Sequence, residues 1–311
     1  MVRRVLLPVL LLALLAGCGG RAGASGFTDG KLAVVTAFYP LEYLSERIGG
    51  DRVSVTTLTK PGAEPHDVEL NPRQVADVAD AGLVVYLGGF QPAVDDAVKQ
   101  EGGDRAFDAA TVVKLLPLSD QSDHDHGSPG TEEHAESADG MDPHVWLDPE
   151  RYATIADKIA ERLGAADPAH AAEYTERAKT VHAELTALDE EFTTGLLSCQ
   201  RHELVTSHSA FGYLADRYGL TQIGITGISP EAEPSPQHLA HVAAEARATG
   251  TTTIFFETLV SPKVAETIAR EVGARTAVLD PLEGVTEPGA NYFSVMRDNL
   301  VALKTALGCT A

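Results

Sequence analysis

Positive charge is scarce in this chain: 24 lysines and arginines stand against 45 aspartates and glutamates, a formal net charge of −21. Nucleic acid is thereby excluded as a partner, because phosphate binding needs a basic surface. The acidity favours solubility and attraction of cations and says nothing about fold. Long apolar runs are also missing. The N-terminal stretch VLLPVLLLALLAG (5–17) falls short of the roughly 20 residues that a membrane span requires. No Gly-x-x-x-x-Gly-Lys-Ser/Thr loop occurs, which removes an ATPase built into the chain. His202-Glu203-Leu204-Val205-Thr206 begins like a zinc-protease helix, but Thr206 stands where the second histidine must be. Gly227-Ile228-Ser229-Pro230-Glu231 lacks the second glycine of a nucleophile elbow. Catalysis by this chain is not expected.

Cysteine is represented three times, at Cys18, Cys199 and Cys309. Cys18 follows a leader: Arg3 and Arg4, the short apolar run, then Leu15-Ala16-Gly17 before the cysteine, the layout of a cleavable export signal. The Leu-Ala-Gly-Cys segment resembles the bacterial lipoprotein box, which implies cleavage before Cys18 and lipid on its thiol. Removing residues 1–17 takes away two arginines and no acid, so the mature chain is more acidic still. Its expected place is extracytoplasmic, lipid-anchored to the outer face of the cytoplasmic membrane or periplasmic. In such an oxidising compartment the remaining pair, Cys199 and Cys309, is expected to be bridged.

After a tether (18–30, rich in glycine and small residues) the chain alternates between two patterns. KLAVVTAF (31–38), VSVTTL (53–58) and LVVYLG (83–88) are short β-branched or apolar runs, separated by helix-like segments. The same alternation returns with ELVTSH (203–208), TQIGITG (221–227), TTIFFE (252–257) and RTAVLD (275–280). Each half reads as a parallel α/β unit. Between them Tyr174, Ala178, Val181, Leu185, Leu188, Phe192 and Leu196 recur every three or four residues, one continuous apolar face. With Asp167 as cap and Pro168 at the first position, they predict a helix over 168–197, about 45 Å long. The expected organisation is an N-terminal lobe (31–148), a linking region (149–198) and a C-terminal lobe (199–311). Residues 119–142, almost without apolar side chains, predict a solvated loop.

Four positions carry the chemistry. His208 and Asp280 close predicted strands, the carboxyl edge at which open α/β sheets place ligands. His66 follows the strand that ends at Leu58, and His144 leads out of the polar loop. Each has a plainer reading: the histidines as hydrogen-bonded structural residues, Asp280 before Pro281 as the start of a turn. Glu64, Asp67, Asp142 and Asp148 read as turn-formers or as partners that fix an imidazole tautomer. Glu257, at the end of a strand, reads as a structural or supporting acid.

The segments PGAEPHDVELNPRQVADVADAGLVVYLG, DPHVWLDP, TSHSAFGYLADRYGL, ISPEAEPSP and VLDPLEG together resemble the metal-specific solute-binding proteins of ABC importers, in particular the zinc-uptake branch. The likeness runs from about residue 31 to the C-terminus in several motifs in order. It implies two parallel-sheet α/β lobes joined by a long rigid helix, with a metal in the interlobe cleft. Carried over by motif, the ligands are His66, His144, His208 and Asp280. Three imidazoles and a carboxylate suit a closed tetrahedral Zn²⁺ site, whereas manganese prefers more oxygen. A receptor for manganese or iron, and a three-histidine zinc hydrolase with water in the fourth position, are the alternatives. The implied cargo is one tightly held Zn²⁺, the implied partners the membrane subunits of an ABC permease, and the receptor is expected to be a monomer. His124, His126 and His134 in the polar loop are either a weak accessory site for a second ion or part of a solvated linker.

Overall fold

The structure is a computed structural model that describes residues 26–118 and 140–310. The leader, Cys18, and His124, His126 and His134 lie outside the described residues. Among the described residues no helix is long and apolar enough to cross a membrane.

β1 (Phe27–Thr28) and β2 (Lys31–Thr36) form a hairpin across Asp29-Gly30, both at positive φ (52° and 80°). An Asp-Gly pair takes that turn because its twist matches the strands. There follow α1 (Tyr39–Gly49), β3 (Val53–Thr57), α2 (Pro72–Asp80), β4 (Leu83–Tyr86), α3 (Pro92–Ala97) and β5 (Ala106–Asp108). β2 is central, with β3 on one side and β4 then β5 on the other, all parallel. β2 and β4 read as apolar runs because both faces are covered; Val34, Leu83, Val84 and Val85 are almost wholly buried.

The linking region contains two helices rather than one. α4 (Pro149–Ala166) is capped by Asp148, whose carboxylate accepts from the amides of Glu150 and Arg151, with Pro149 in the first turn. It packs along α5 (Ala171–Leu196). The expected start of the long helix at Pro168 is instead a short 3₁₀ turn, Pro168–His170. Asp167 is occupied there, binding the His170 ring (2.6 Å) and the Tyr174 hydroxyl (2.8 Å). The seven residues of the predicted apolar stripe are the seven buried residues of α5. At 26 residues the helix is about 39 Å long.

The second sheet follows: β6 (Glu203–Thr206), α6 (Gly212–Tyr218), β7 (Thr221–Gly224), α7 (Pro236–Ala248), β8 (Thr253–Phe256), α8 (Lys263–Val272), β9 (Arg275–Val278) and α9 (Tyr292–Leu307). Its order is β7-β6-β8-β9, all parallel. Glu203–Thr206 is a strand, which disposes of the protease-like motif.

α5 is fastened to both lobes. Towards its start, Glu173 pairs bidentately with Arg52 (3.1 Å to each oxygen) and Glu184 with Arg47 (2.8 Å). Towards its end, Asp189 meets Arg217 and Glu191 takes Arg297 (2.8 and 2.9 Å). Exposed pairs of this kind contribute little each; the firmer hold is apolar. One continuous core includes Leu83 of β4, Leu163 of α4, Leu185 of α5 and Leu303 of α9. Beyond α5, Cys199 and Cys309 are joined by a disulfide that ties the end of α5 to the end of α9 across 110 residues of sequence.

Candidate metal centre

His66 lies in the loop after β3. Its amide donates to Glu64 Oε1 (2.9 Å), while Gln91 holds the loop by donating to the carbonyl of Pro65 (3.0 Å) and to Thr59 Oγ1 (2.9 Å). The imidazole stands edge-on to Phe90, ring centres 4.6 Å apart. His144 precedes a 3₁₀ turn, Val145–Leu147, that contains the only tryptophan of the chain, Trp146. Asp142 Oδ1 binds both the amide of His144 (2.9 Å) and its Nδ1 (2.8 Å). His208 stands just beyond β6. Its carbonyl accepts from Thr206 Oγ1 (2.7 Å) and Gln222 Nε2 (3.0 Å), and its Nδ1 meets Glu257 Oε1 (2.7 Å). In His144 and His208 the carboxylate on Nδ1 fixes the ring, so Nε2 is the nitrogen turned inwards.

All three Nε2 atoms converge on one carboxylate oxygen, Oε1 of Glu283, at 3.3 Å from His66, 3.2 Å from His144 and 3.2 Å from His208. The four side chains are buried, and their ligand atoms lie within 4.8 Å of one another. The N···O separations are close to the about 3.4 Å edge of a tetrahedron whose arms are about 2.1 Å. The second oxygen of Glu283 is buried with no hydrogen-bond partner among the described residues. A buried carboxylate with an unsatisfied oxygen is costly unless a cation meets it.

The fourth expected ligand, Asp280, lies outside this cluster. Asp280 does not join the three imidazoles; one of its oxygens accepts from the amide of Leu282 (2.8 Å) and the other from Thr258 Oγ1 (3.1 Å). Its carboxylate is consumed by the turn that Asp280-Pro281 starts. The carboxylate that stands with the three imidazoles is that of Glu283, three residues later in the same LDPLEG segment. The signal was present in the turn-forming reading of Asp280: an acid used in its own turn leaves the next acid free.

Electrostatics follow from this crowding. Burial disfavours a charged His208, but the carboxylates of Glu257 and Glu283 outweigh it and push its pKa up to about 10. His144 is likewise raised, with burial opposing and Asp142 and Glu283 prevailing. At His66 burial wins and the pKa is lowered, although Glu283 pulls the other way. Burial alone would raise Glu283, yet the facing imidazoles hold it well below the ordinary carboxylate range. Glu64 is pushed up to about 7, chiefly by burial. The raised His208 and the lowered Glu283 thus favour a charged imidazole facing a carboxylate.

Two parallel α/β lobes on a long helix, with a buried three-histidine, one-carboxylate cluster where they meet, define a metal-receptor architecture rather than an open catalytic centre. The chain belongs to the ZnuA family, zinc-uptake complex component A periplasmic, matched over residues 34–306. It is 37% identical over 301 residues to the high-affinity zinc uptake system protein ZnuA of Bacillus subtilis, covering 94% of each chain. It is 36% identical over 310 residues to the zinc-binding lipoprotein AdcA of Streptococcus pneumoniae, covering 96% of this chain and 60% of AdcA. The chain therefore spans about three-fifths of the AdcA proteins it matches. Among solved structures, the Zn(II)-bound ZnuA-like domain of that AdcA superimposes with a TM-score of 0.74 at 33% identity, covering 89% of this chain and 99% of that one. The laminin-binding protein Lmb of Streptococcus agalactiae, described as bifunctional with adhesin and metal-transporting activity, gives 0.77 at 33% identity, covering 88% and 99%.

Proposed function

We propose that this chain is an extracytoplasmic receptor that captures Zn²⁺ at His66, His144, His208 and Glu283 and delivers it to the membrane subunits of an ABC permease. The convergence of three Nε2 atoms on one Glu283 oxygen carries the reading. Asp142 and Glu257 hold two of the rings by Nδ1, keeping Nε2 available and making the imidazole a better donor. Gln91 keeps the His66 loop against the end of β3. Three nitrogens and one carboxylate oxygen form a closed set that suits zinc, and the oxygen-poor shell disfavours manganese. A hydrolase would need an open position for water, and Glu283 fills it. The names of the relatives support the zinc assignment, and the AdcA lipoprotein supports anchoring through Cys18. A monomeric receptor at the membrane surface is the form proposed.

The test is metal content and zinc affinity, by chelator competition, for the mature chain and for a variant lacking residues 120–138. One tight zinc ion in both places the site at the four buried residues. Loss of tight binding in the deletion would assign the metal to His124, His126 and His134 and end the proposal.

A further inference from the structure

We propose that Asp280 is the positioning residue of the metal centre: it never touches the ion but holds the turn that delivers Glu283 to it. The inference rests on Glu283 being the fourth ligand. Leu282 is fully buried and has φ 61°, the left-handed region that a side chain with a Cβ adopts only when its surroundings impose it. Among the described residues the other non-glycine at positive φ is Asp29, in the β1–β2 turn, where local chemistry calls for it. The peptide group that enters Leu282 is held at both ends: its N–H donates to Asp280 Oδ1 (2.8 Å) and its carbonyl, that of Pro281, accepts from Trp146.

The anchor is itself fixed from three sides. Asn299 of α9 accepts from the Asp280 amide (2.9 Å) and donates to its carbonyl (2.7 Å). Trp146, two residues after His144, donates its indole N–H to the Pro281 carbonyl (2.7 Å). Thr258, next to Glu257, donates to the second Asp280 oxygen (3.1 Å). The entry to the turn is thus tied to α9, to the His144 segment and to the segment that supports His208. The Asp280 carboxylate extends that rigidity over one residue of unfavourable backbone to Glu283. Without it Leu282 relaxes to negative φ, and the Glu283 side chain no longer points at the three Nε2 atoms.

The experiment compares Asp280→Asn, Asp280→Ala and Glu283→Ala in the full chain. Zinc affinity is read by chelator competition, coordination by the absorption of the Co²⁺-loaded protein, and folding by circular dichroism. Asparagine keeps an oxygen for the Leu282 amide and an N–H for Thr258 Oγ1 but has no charge. D280N is expected within about threefold of the unmodified chain, and D280A weaker by roughly 10- to 100-fold, the range for loss of a ligand's support. The intense bands of four-coordinate cobalt should persist in D280N and fade in D280A and E283A. D280N as weak as D280A would show that the charge or direct ligation matters and overturn the proposal, as would D280A equal to the unmodified chain. Should D280A fail to fold, D280S replaces it, since a hydroxyl makes the same turn contact more weakly; an intermediate loss is expected, and no loss overturns the proposal. E283A with unchanged affinity and cobalt bands would remove Glu283 as ligand and the inference with it, whereas loss in E283A without loss in D280A removes the inference alone.

Discussion

Zinc and protons compete for the same imidazoles. Because the pKa of His208 is raised to about 10, its ion pairs stabilise the metal-free fold fully below the ordinary imidazole pKa of about 6.5. That contribution is lost as pH rises through the folded value. Zinc needs the deprotonated ring, so its affinity runs the other way. The increase in Tm on adding zinc should therefore grow from pH 6 to pH 9, in scans with zinc and with chelator. Calorimetry near pH 7.5, in two buffers of different ionisation enthalpy, should show about one proton or more released per ion; no release would contradict a protonated His208. Replacing Glu257 by glutamine removes a charge from the far side of that ring. Zinc affinity should fall roughly 10-fold or more, and the pH at which the metal-free protein loses stability should move down, a shift that general loosening would not produce. At this scale the sequence pointed to His66, His144 and His208, which the structure brings together, and to Asp280, which it leaves outside their cluster while Glu283 stands within it. Asp280 and Glu283 sit three apart in one motif, and only the backbone at Leu282 decides which points inwards.

Elements were legible where periodicity was long and unbroken. The α5 stripe could be read residue by residue, and seven strands could be placed within three residues because they are short apolar or β-branched runs between Gly, Pro or Asp. α4 was missed because it follows the site motif DPHVWLDP directly and invites reading as a connection. β5 was missed because three residues carry no period. Leu188 faces the core from the middle of α5. Leu188→Ala should cost about 2–5 kcal/mol, seen as a lower denaturation midpoint, while zinc affinity changes little, since none of the four proposed ligands lies on that helix.

At the scale of the molecule, α5 is packed into the common core and paired with arginines of both lobes, and the disulfide ties its end to α9. Such a frame resists a hinge. Metal loading and release should therefore involve the turn at 280–283 and the loop around His66 more than rotation of one lobe on the other. Small-angle scattering of chelated and zinc-loaded protein should give the same radius of gyration within error; a clear contraction on loading would count against a braced frame.

Glu283 is separated from His66, His144 and His208 by 217, 139 and 75 residues of chain. No short stretch of the unfolded polypeptide can assemble this donor set, because closing loops of that size carries an entropy cost before any bond to the ion forms. The cargo is thus a latecomer to assembly: it arrives at a finished cage and cannot act as a template for building it. Refolding from denaturant should proceed at the same rate with zinc or with chelator, and the ion should appear only in slower unfolding.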